Sequence, residues 1–360
     1  MRIGIIVNDL FTEKVDYTTT QLAMAAVNRG HQVWYIDVDA FALRPDDHTW
    51  AHAWAVPETR HRSPRAFLKA VWGQAEQNRS EIDLHKLDVL MPRNDPSLDA
   101  ISRPWARMAA INFSRLALRS GVLVLNDPAG LGLGLTKLYM EYFPAAIRPR
   151  TLVTRNKSEA KDFIASEGGH AVLKPLAGSG GRNVFLVRPH DTPNINQMLD
   201  AVARDNYFIV QQYLKDAIHG DTRLFMLNGE PFQLRGRYAA LHRQRRTGDA
   251  DMRSNLTAGA EAVRAEVTET MLAVARQTSE RLRKDGIFLA GLDIVGDKIM
   301  EINIQSPGGL PNAEAFEEVP FAAEIIRAIE RKIAYREQHG GQLRNAELAV
   351  HEGVLQEGLC

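Results

Sequence analysis

Cysteine is almost missing from this sequence. The 360 residues contain one cysteine, Cys360. A single thiol cannot form an intramolecular disulfide, and it cannot supply the several thiolates of a structural zinc cluster. Redox chemistry between paired cysteines within the chain is therefore excluded, and covalent catalysis by a cysteine in the interior of the sequence is excluded as well.

A surplus of either charge and a long apolar run are also missing. Lys plus Arg and Asp plus Glu each total 44, so the formal net charge is zero. Proteins that bind a nucleic-acid backbone usually carry a basic surplus. No run of about 18 apolar residues is long enough to cross a bilayer, and residues 1–7 predict a strand rather than a signal peptide. We therefore expect a soluble cytoplasmic protein that binds small molecules, with neither nucleic acid nor membrane as a partner.

The first third of the sequence alternates strand and helix patterns. Short apolar runs at 3–7, 32–36, 88–91 and 122–125 predict strands, and residues 18–29 and 104–121 predict helices. Such alternation is typical of a parallel sheet that is covered on both faces by helices. We predict a Rossmann-like domain over residues 1–126, interrupted by a long polar stretch at 46–79.

After residue 127 the pattern changes to mixed strands and helices. Strands at 151–153, 171–176 and 184–187 predict a central α+β subdomain over 127–205. A hairpin around Asn228-Gly229, a helix at 265–284, strands at 289–295 and 299–304 and a helix at 321–335 predict a C-terminal subdomain over 206–336. Residues 337–360 show no sustained period, which predicts a weakly ordered tail. The fold class is α/β, with a ligand cleft expected between the two subdomains.

A lysine followed by a glycine-rich segment is the first motif that indicates chemistry. Residues 173–181 have the sequence Leu-Lys-Pro-Leu-Ala-Gly-Ser-Gly-Gly, so Lys174 lies at a strand end and Gly178, Ser179, Gly180 and Gly181 follow. A lysine supplies a point charge, and small residues let backbone N–H groups approach phosphate oxygens. The segment predicts a nucleotide triphosphate site, although a mobile hairpin loop has the same composition.

A second glycine-rich run, at residues 130–135, resembles a dinucleotide-binding motif. The third glycine of that motif is missing, because Leu135 occupies its position. A nicotinamide-dependent dehydrogenase is therefore disfavoured.

Polar residues interrupt an apolar hairpin at 291–303. Glu301 and Asn303 share one strand face because side chains alternate along a strand. With a three-residue loop at 296–298, Asp293 opposes Glu301 and joins that face. Three oxygen donors together predict a Mg²⁺ site. A two-residue loop would place Asp293 on the opposite face, and an amphipathic hairpin with a solvated face is the alternative interpretation.

The order of these motifs resembles the ATP-grasp superfamily, and most closely bacterial glutathione synthetase. The resemblance covers residues 85–335. It rests on eight short segments, which are Asp-Val-Leu-Met-Pro-Arg-Asn-Asp-Pro at 88–96, Leu-Asn-Asp-Pro at 125–128 with Lys137, residues 151–157, residues 173–176, Gly-Asp-Thr-Arg at 220–223, Arg-Ser-Asn-Leu at 253–256, Gly-Leu-Asp at 291–293 and Glu-Ile-Asn at 301–303. It implies an ATP-grasp fold with the nucleotide between two α+β subdomains, and a homo-oligomer.

The resemblance also implies a role for each matching residue. It implies ATP as the cofactor together with Mg²⁺ or Mn²⁺, an acyl-phosphate intermediate, and Arg223 as the catalytic cation. The implied ATP contacts are Lys137, Lys174, Gly178, Ser179, Gly180, Gly181, the backbone of Gln212, Tyr213 and Leu214 at the adenine, and Asp221 near the ribose. The implied metal ligands are Asp293, Glu301 and Asn303, and the implied substrate contacts are Arg93, Arg253, Asn255, Ser306, Pro307, Gly308 and Gly309.

Two segments depart from the family pattern. Residues 238–252 are longer and more basic than the family's glycine-rich loop, so they form either a solvated surface loop or a lid for a more anionic substrate. Residues 305–311, Gln-Ser-Pro-Gly-Gly-Leu-Pro, replace a Thr-Ser-Pro-Thr run. We expect a ligase that joins γ-glutamylcysteine to glycine. The alternatives are a related ligase for another amino acid or peptide, of the glutamate-ligase type for example, and a non-catalytic ATP-binding regulator.

Overall fold

Three larger β-sheets, one two-stranded sheet and eleven α-helices organise the described part of the chain. The structure is a computed structural model, and it describes residues 1–99, 102–178, 183–190, 194–204, 207–244 and 260–352. Within these ranges no helix is both long enough and apolar enough to cross a membrane.

The N-terminal sheet has six strands, of which four are parallel. In chain order the strands are β1 Arg2–Val7, β2 Gln32–Leu43, β3 Thr49–Ala55, β4 Arg79–Asp83, β5 Val89–Pro92 and β6 Leu123–Val124. The spatial order is β4-β3-β2-β1-β5-β6. The predicted parallel core is confirmed, since β1 pairs in parallel with β2 and β5, and β5 with β6. The polar stretch predicted at 46–79 instead contributes β3, which extends the sheet in an antiparallel sense together with β4.

Helices cover this sheet because their apolar residues recur on one face. They are α1 Thr18–Asn28, α2 Pro64–Gly73 and α3 Ala106–Arg119. Helix α2 begins at a proline, and the Ser63 side chain before it accepts the Ala66 N–H at 3.3 Å. A proline in the first turn and a serine cap both favour a helix start. In α1, Leu22, Ala23 and Val27 are buried in the core.

A four-stranded antiparallel sheet forms the central part of the chain. Its strands are β7 Thr151–Thr154, β8 Ala171–Pro175, β9 Phe185–Val187 and β10 Phe208–Gln212, in the order β7-β10-β8-β9. The helices of this region are α4 Pro128–Leu133, α5 Lys157–Ser166 and α6 Ile195–Ala203. Strand β10 runs between β7 and β8, so it places its side chains at the middle of the sheet.

A third sheet lies in the C-terminal part. Its strands are β11 Asp221–Leu227, β12 Glu230–Pro231, β15 Ala240–Gln244, β16 Glu261–Arg264, β17 Leu289–Val295 and β18 Lys298–Asn303, while β13 Gln233–Leu234 and β14 Arg237–Tyr238 pair separately. The helices are α7 Glu269–Arg276, α8 Ser279–Lys284, α9 Leu310–Glu317, α10 Phe321–His339 and α11 Asn345–Val350. The single helix predicted at 265–284 is in fact two helices.

The prediction of a weakly ordered tail is wrong for residues 337–350. Helix α10 continues to His339, and α11 packs its buried Leu348 and Ala349 into the main core. The Asn345 side chain donates to Val124 O at 2.9 Å and accepts the Val124 N–H at 2.9 Å. The Asn345 side chain therefore continues the hydrogen bonding of β6 at the sheet edge. Helix α11 is too short for a hydrophobic period in the sequence to have predicted it.

The second glycine run owes its composition to close packing. A Cβ atom at Gly130 would lie 2.1 Å from Asp285 O and 2.9 Å from Ile287 Cδ1. Gly130→Ala should lower the free energy of unfolding by about 1–3 kcal/mol, because backbone must shift to admit the methyl group. Gly132→Ala is the matched control on the same helix, since its Cβ would meet only the flexible Arg115 side chain, at 3.2 Å. Urea unfolding measures the free energy of unfolding of both variants, and an equal decrease in the two would contradict this explanation.

Candidate active site

A cleft of about 320 Å³ lies where the central and C-terminal sheets face each other. Its walls combine apolar side chains with several charged ones. The lining residues are Asp95, Pro96, Ser97, Arg107, residues 134–137 and 139–141, Thr151, Val153, residues 174–178, Asn183, Ile209, Gln211 and residues 300–306. The position between the two α+β sheets is the one predicted for a nucleotide.

Two lysines enter this cleft from different segments. Lys174 lies on β8 and donates to Gln211 Oε1 at 2.8 Å. Lys137 donates to Gly178 O, and its Nζ lies 3.9 Å from Glu301 Oε1. Burial lowers the pKa of Lys174 to about 8, and the positive charge of Lys137 contributes to the decrease. Two neighbouring cations, whose hydrogen-bond acceptors are neutral and which have one carboxylate 3.9 Å from Lys137, form a site suited to a polyanion.

The β17–β18 hairpin brings Asp293 opposite Glu301, but not by the predicted loop. Val295 pairs with Lys298, so the turn has two residues rather than three. An extra residue, Met300, then bulges from β18, and the register becomes Asp293 to Glu301. A bulge adds one residue to one strand only, which reverses the face of every later side chain. The predicted loop length is therefore wrong, while the predicted pairing is confirmed.

Asp293 is the centre of a buried ion-pair network. Its carboxylate accepts two hydrogen bonds from Arg223, at 2.7 and 2.8 Å, and a third from Asn303 Nδ2 at 3.0 Å. Arg243 Nη2 lies 2.7 Å from the same carboxylate. Burial by itself would raise the pKa of Asp293, but Arg223 and Arg243 outweigh it and hold this pKa below its ordinary value.

Arg243 is a residue that the sequence interpretation missed. It is 4% exposed, and it bridges Asp293 and Asp221, whose Oδ2 accepts from Arg243 Nε at 3.0 Å. Burial opposes the charge, yet the two carboxylates raise the pKa of Arg243 above its ordinary value. The prediction of a loop over residues 238–252 is wrong for residues 240–244, because these form strand β15. In this strand Arg243 pairs with Asp221 of β11. Residues 239–241 are apolar and residues 242–244 are polar, so no strand period marked this stretch in the sequence.

The segment at 305–309 lies beside this network. Ser306 lines the cleft. Pro307 O accepts a hydrogen bond from Arg93 at 3.2 Å, and Gly308 O accepts one from Arg223 at 3.1 Å. Gly309 has a φ of 98°, and a Cβ there would lie 2.9 Å from Leu241. Arg93 is buried, which lowers its pKa to about 10. Arg93 of the N-terminal part and residues 306–309 of the C-terminal part, all predicted substrate residues, therefore meet here.

Four other predicted nucleotide contacts, Asp221 and residues 212–214, remain predictions. Asp221 is 1% exposed and paired with Arg243, so a ribose contact would require part of that pairing to be exchanged. The Gln212 N–H donates to Arg150 O at 2.8 Å, and Tyr213 stacks on His170 with ring centroids 6.1 Å apart. Among the described residues the cleft wall contains Gln211 rather than residues 212–214. Ser179, Gly180, Gly181, Arg253, Asn255 and the segment 245–252 lie outside the described residues.

The comparisons with known proteins agree with this arrangement. The family model "Prokaryotic glutathione synthetase, ATP-grasp domain" matches residues 136–318, and the model of that family's N-terminal domain matches residues 1–132. The glutathione synthetase of Gloeobacter violaceus is 32% identical over 91% of this chain and 95% of its own length. That of Coxiella burnetii is 29% identical over 93% of this chain and 98% of its own.

The chain belongs to the prokaryotic glutathione synthetase family. As a member of this family it is an ATP-dependent ligase with an ATP-grasp fold, and the family implies ATP use with a divalent metal. Solved structures support the fold. D-cycloserine synthetase DcsG superposes with a TM-score of 0.61 at 17% identity, over 90% of this chain and 99% of that one. The RimK domain ATP-grasp protein of Sphaerobacter thermophilus gives 0.53 at 16% identity, over 91% and 98%.

Proposed function

We propose that this glutathione synthetase family member joins the carboxylate of γ-glutamylcysteine to the amine of glycine in a reaction driven by MgATP. The observation that carries the proposal is the adjacency of two sites. The cleft with Lys137, Lys174 and Glu301 continues into the 305–309 segment, where Arg93 and Arg223 both contact backbone carbonyls. The names of the relatives support the same substrates.

The metal ligands we propose are Asp293, Glu301 and Asn303. Glu301 and Asn303 both line the cleft, and Asp293 is kept ionised in contact with Asn303. Carboxylate and amide oxygens are hard donors of the kind that Mg²⁺ prefers, and Mn²⁺ accepts the same set. A divalent cation held there would neutralise charge on the ATP phosphates.

In the proposed mechanism the protein contributes position and charge. Lys137 and Lys174 orient the phosphates of ATP so that a substrate carboxylate oxygen can attack the γ-phosphorus, with ADP leaving. The amine then attacks the acyl-phosphate carbon, loses a proton and expels inorganic phosphate as the amide forms. Arg223 lies where the tetrahedral intermediate carries negative charge. Orientation of the reactants and stabilisation of charge are sufficient for such a transfer, and no covalent nucleophile is needed.

The experiment that tests this function is ADP release by the purified protein with MgATP. Wild type, Glu301→Ala and Glu269→Ala are compared across a panel of amino acids and γ-glutamyl peptides. Glu269 is an exposed control, with 87% of its side chain accessible. We expect turnover that requires γ-glutamylcysteine plus glycine, is lost in Glu301→Ala and is retained in Glu269→Ala.

A second candidate is a related ligase for a different amino acid or peptide. The observation that favours it is the substrate segment at 305–311, Gln-Ser-Pro-Gly-Gly-Leu-Pro, where the family has Thr-Ser-Pro-Thr. Turnover with another substrate pair in the same panel would select this candidate. Absence of turnover with every pair would contradict both.

We also propose the remaining features expected for the chain. These are domain boundaries at residues 126 and 205, a cytoplasmic location and a homo-oligomeric assembly. Light scattering on the purified protein measures the assembly directly, and a single-chain mass would contradict it.

The pKa of Lys174 predicts a pH dependence of nucleotide binding. Below about pH 8 the Lys174 side chain is charged, and the charge is lost as the pH rises through its pKa of about 8. MgATP should therefore bind about tenfold more weakly at about pH 9 than at about pH 7. Lys174→Arg should bind with much less pH dependence, because a guanidinium stays protonated. Calorimetric titration measures the affinity of both proteins for MgATP at each pH. An equal decrease of affinity with pH in the two proteins would contradict the assignment to Lys174.

A further inference from the structure

Two histidines and a buried aspartate lie together at the outer end of the N-terminal sheet, away from the residues that line the ATP cleft. His48 immediately precedes β3, Asp83 ends β4, and His85 follows in a short 3₁₀ helix, Leu84–Lys86. In the antiparallel register Trp50 pairs with Asp83, so the start of β3 and the end of β4 coincide. Strand pairing thus brings together residues that are 35 or more positions apart in sequence.

The contacts within this cluster orient its donor atoms. Asp83 Oδ1 accepts the backbone N–H of His85 at 3.0 Å, and Oδ2 lies 3.1 Å from His48 Nδ1. The two imidazole rings have centroids 4.4 Å apart. One nitrogen from each ring and one carboxylate oxygen all lie within 4.8 Å of one another.

The cluster combines a rigid ligand with accessible ones. The Asp83 side chain is 5% exposed, while 45% of the His48 side chain is accessible. His85 Nε2 accepts only a long hydrogen bond, 3.4 Å, from the Thr49 N–H. A metal ion can therefore approach from the solvent side of His48, where it would replace the contacts of 3.1 and 3.4 Å.

We propose that His48, Asp83 and His85 form a binding site for a divalent transition metal of the Zn²⁺ class. Imidazole nitrogen and carboxylate oxygen are ligands of that class, with bond lengths of about 2.0–2.2 Å, and neighbouring donors in a tetrahedron are then roughly 3.4 Å apart. Rotation of the accessible His48 ring closes the remaining distance, and water completes the coordination. Mg²⁺ is a poor match because it prefers an octahedron of oxygens.

Bound metal would connect the turn before β3 to the end of β4. It would do so independently of ligase chemistry, since the three side chains are absent from the described cleft wall. Because such a metal binds the folded protein, it raises thermal stability by an amount that grows with the logarithm of the metal concentration divided by Kd.

The test is a Co²⁺ titration of tag-free, chelator-treated protein without nucleotide, followed by ligand-field absorption and competition with Zn²⁺. Wild type is compared with His48→Gln, His85→Gln and the control His52→Gln, whose exposed residue lies on the same strand β3. We expect Co²⁺ affinity to fall roughly tenfold or more in the first two variants and to be unchanged in the control. Zn²⁺ should displace Co²⁺, and excess Mg²⁺ should not.

A melting experiment makes the result independent of spectroscopy. Zn²⁺ should raise the Tm of wild type and of His52→Gln but not that of His48→Gln, a substitution at an accessible side chain. Equal Co²⁺ affinity in wild type and His48→Gln, or an equal Zn²⁺-dependent rise in Tm, would overturn the proposal. The cluster would then be a hydrogen-bonded contact between Asp83 and the two histidines, with no metal function.

Discussion

Replacing Arg223 with alanine is expected to lower kcat of the ligase roughly 10²–10³-fold. The guanidinium holds Asp293 through two hydrogen bonds of 2.7 and 2.8 Å and contacts Gly308 O at 3.1 Å. It therefore lies between the proposed metal ligands and the proposed substrate segment. A cation preorganised at this point stabilises the negative charge that develops during acyl transfer. Steady-state assay of ADP formation with saturating substrates measures the effect.

Two comparisons make this expectation specific to the guanidinium. Arg237→Ala removes an arginine whose side chain is 56% exposed, and its kcat should match that of wild type. Arg223→Lys keeps the charge but cannot form the paired hydrogen bonds, so most of the loss should persist. A kcat for Arg223→Ala within a few-fold of wild type would exclude Arg223 from the chemical step.

Replacing Arg243 with methionine is expected to destabilise the fold by about 3–5 kcal/mol. This side chain is 4% exposed and lies between the carboxylates of Asp221 and Asp293. Methionine keeps an unbranched apolar stem but lacks the guanidinium, so the main change is the loss of a cation between two buried anions. Urea unfolding followed by circular dichroism measures the free energy of unfolding.

The pH dependence of this loss distinguishes charge from packing. Without Arg243 the pKa values of the two carboxylates should rise, so protonation relieves the uncompensated charge as the pH falls. The difference from wild type should therefore narrow between about pH 8 and about pH 5. Arg264→Met removes an exposed arginine that binds Glu317 through two hydrogen bonds, of 2.8 and 2.9 Å, and little change is expected there. A pH-independent loss for Arg243→Met would indicate packing instead.

Local patterns in the sequence were sufficient to predict the parallel core of the N-terminal sheet and most strands of the two later sheets. The same patterns identified Lys174 at a strand end and the acidic hairpin. These features depend on residues within about ten positions of one another, so periodicity and turn chemistry reveal them. The order of the motifs along the chain was enough to recognise the family.

Features that depend on distant pairing could not be predicted in this way. Arg243 gains its place in the network because β15 pairs with β11, and the 48–85 cluster exists because β3 pairs with β4. Helix α11 is held by Asn345 at the edge of β6. In each case the decisive partner lies at least 20 residues away, where no local period carries information about it.

The β17–β18 hairpin shows most clearly what the sequence determines and what only the tertiary structure decides. The sequence alone determined that Asp293, Glu301 and Asn303 lie on adjacent strands with a short turn. The tertiary structure decided that they share a face, because a bulge at Met300 compensates for a turn one residue shorter than predicted. A bulge depends on how both strands pack against their neighbours, and turn residues do not encode it. Sequence therefore determined the chemistry that is available here, and packing decided which side chains meet.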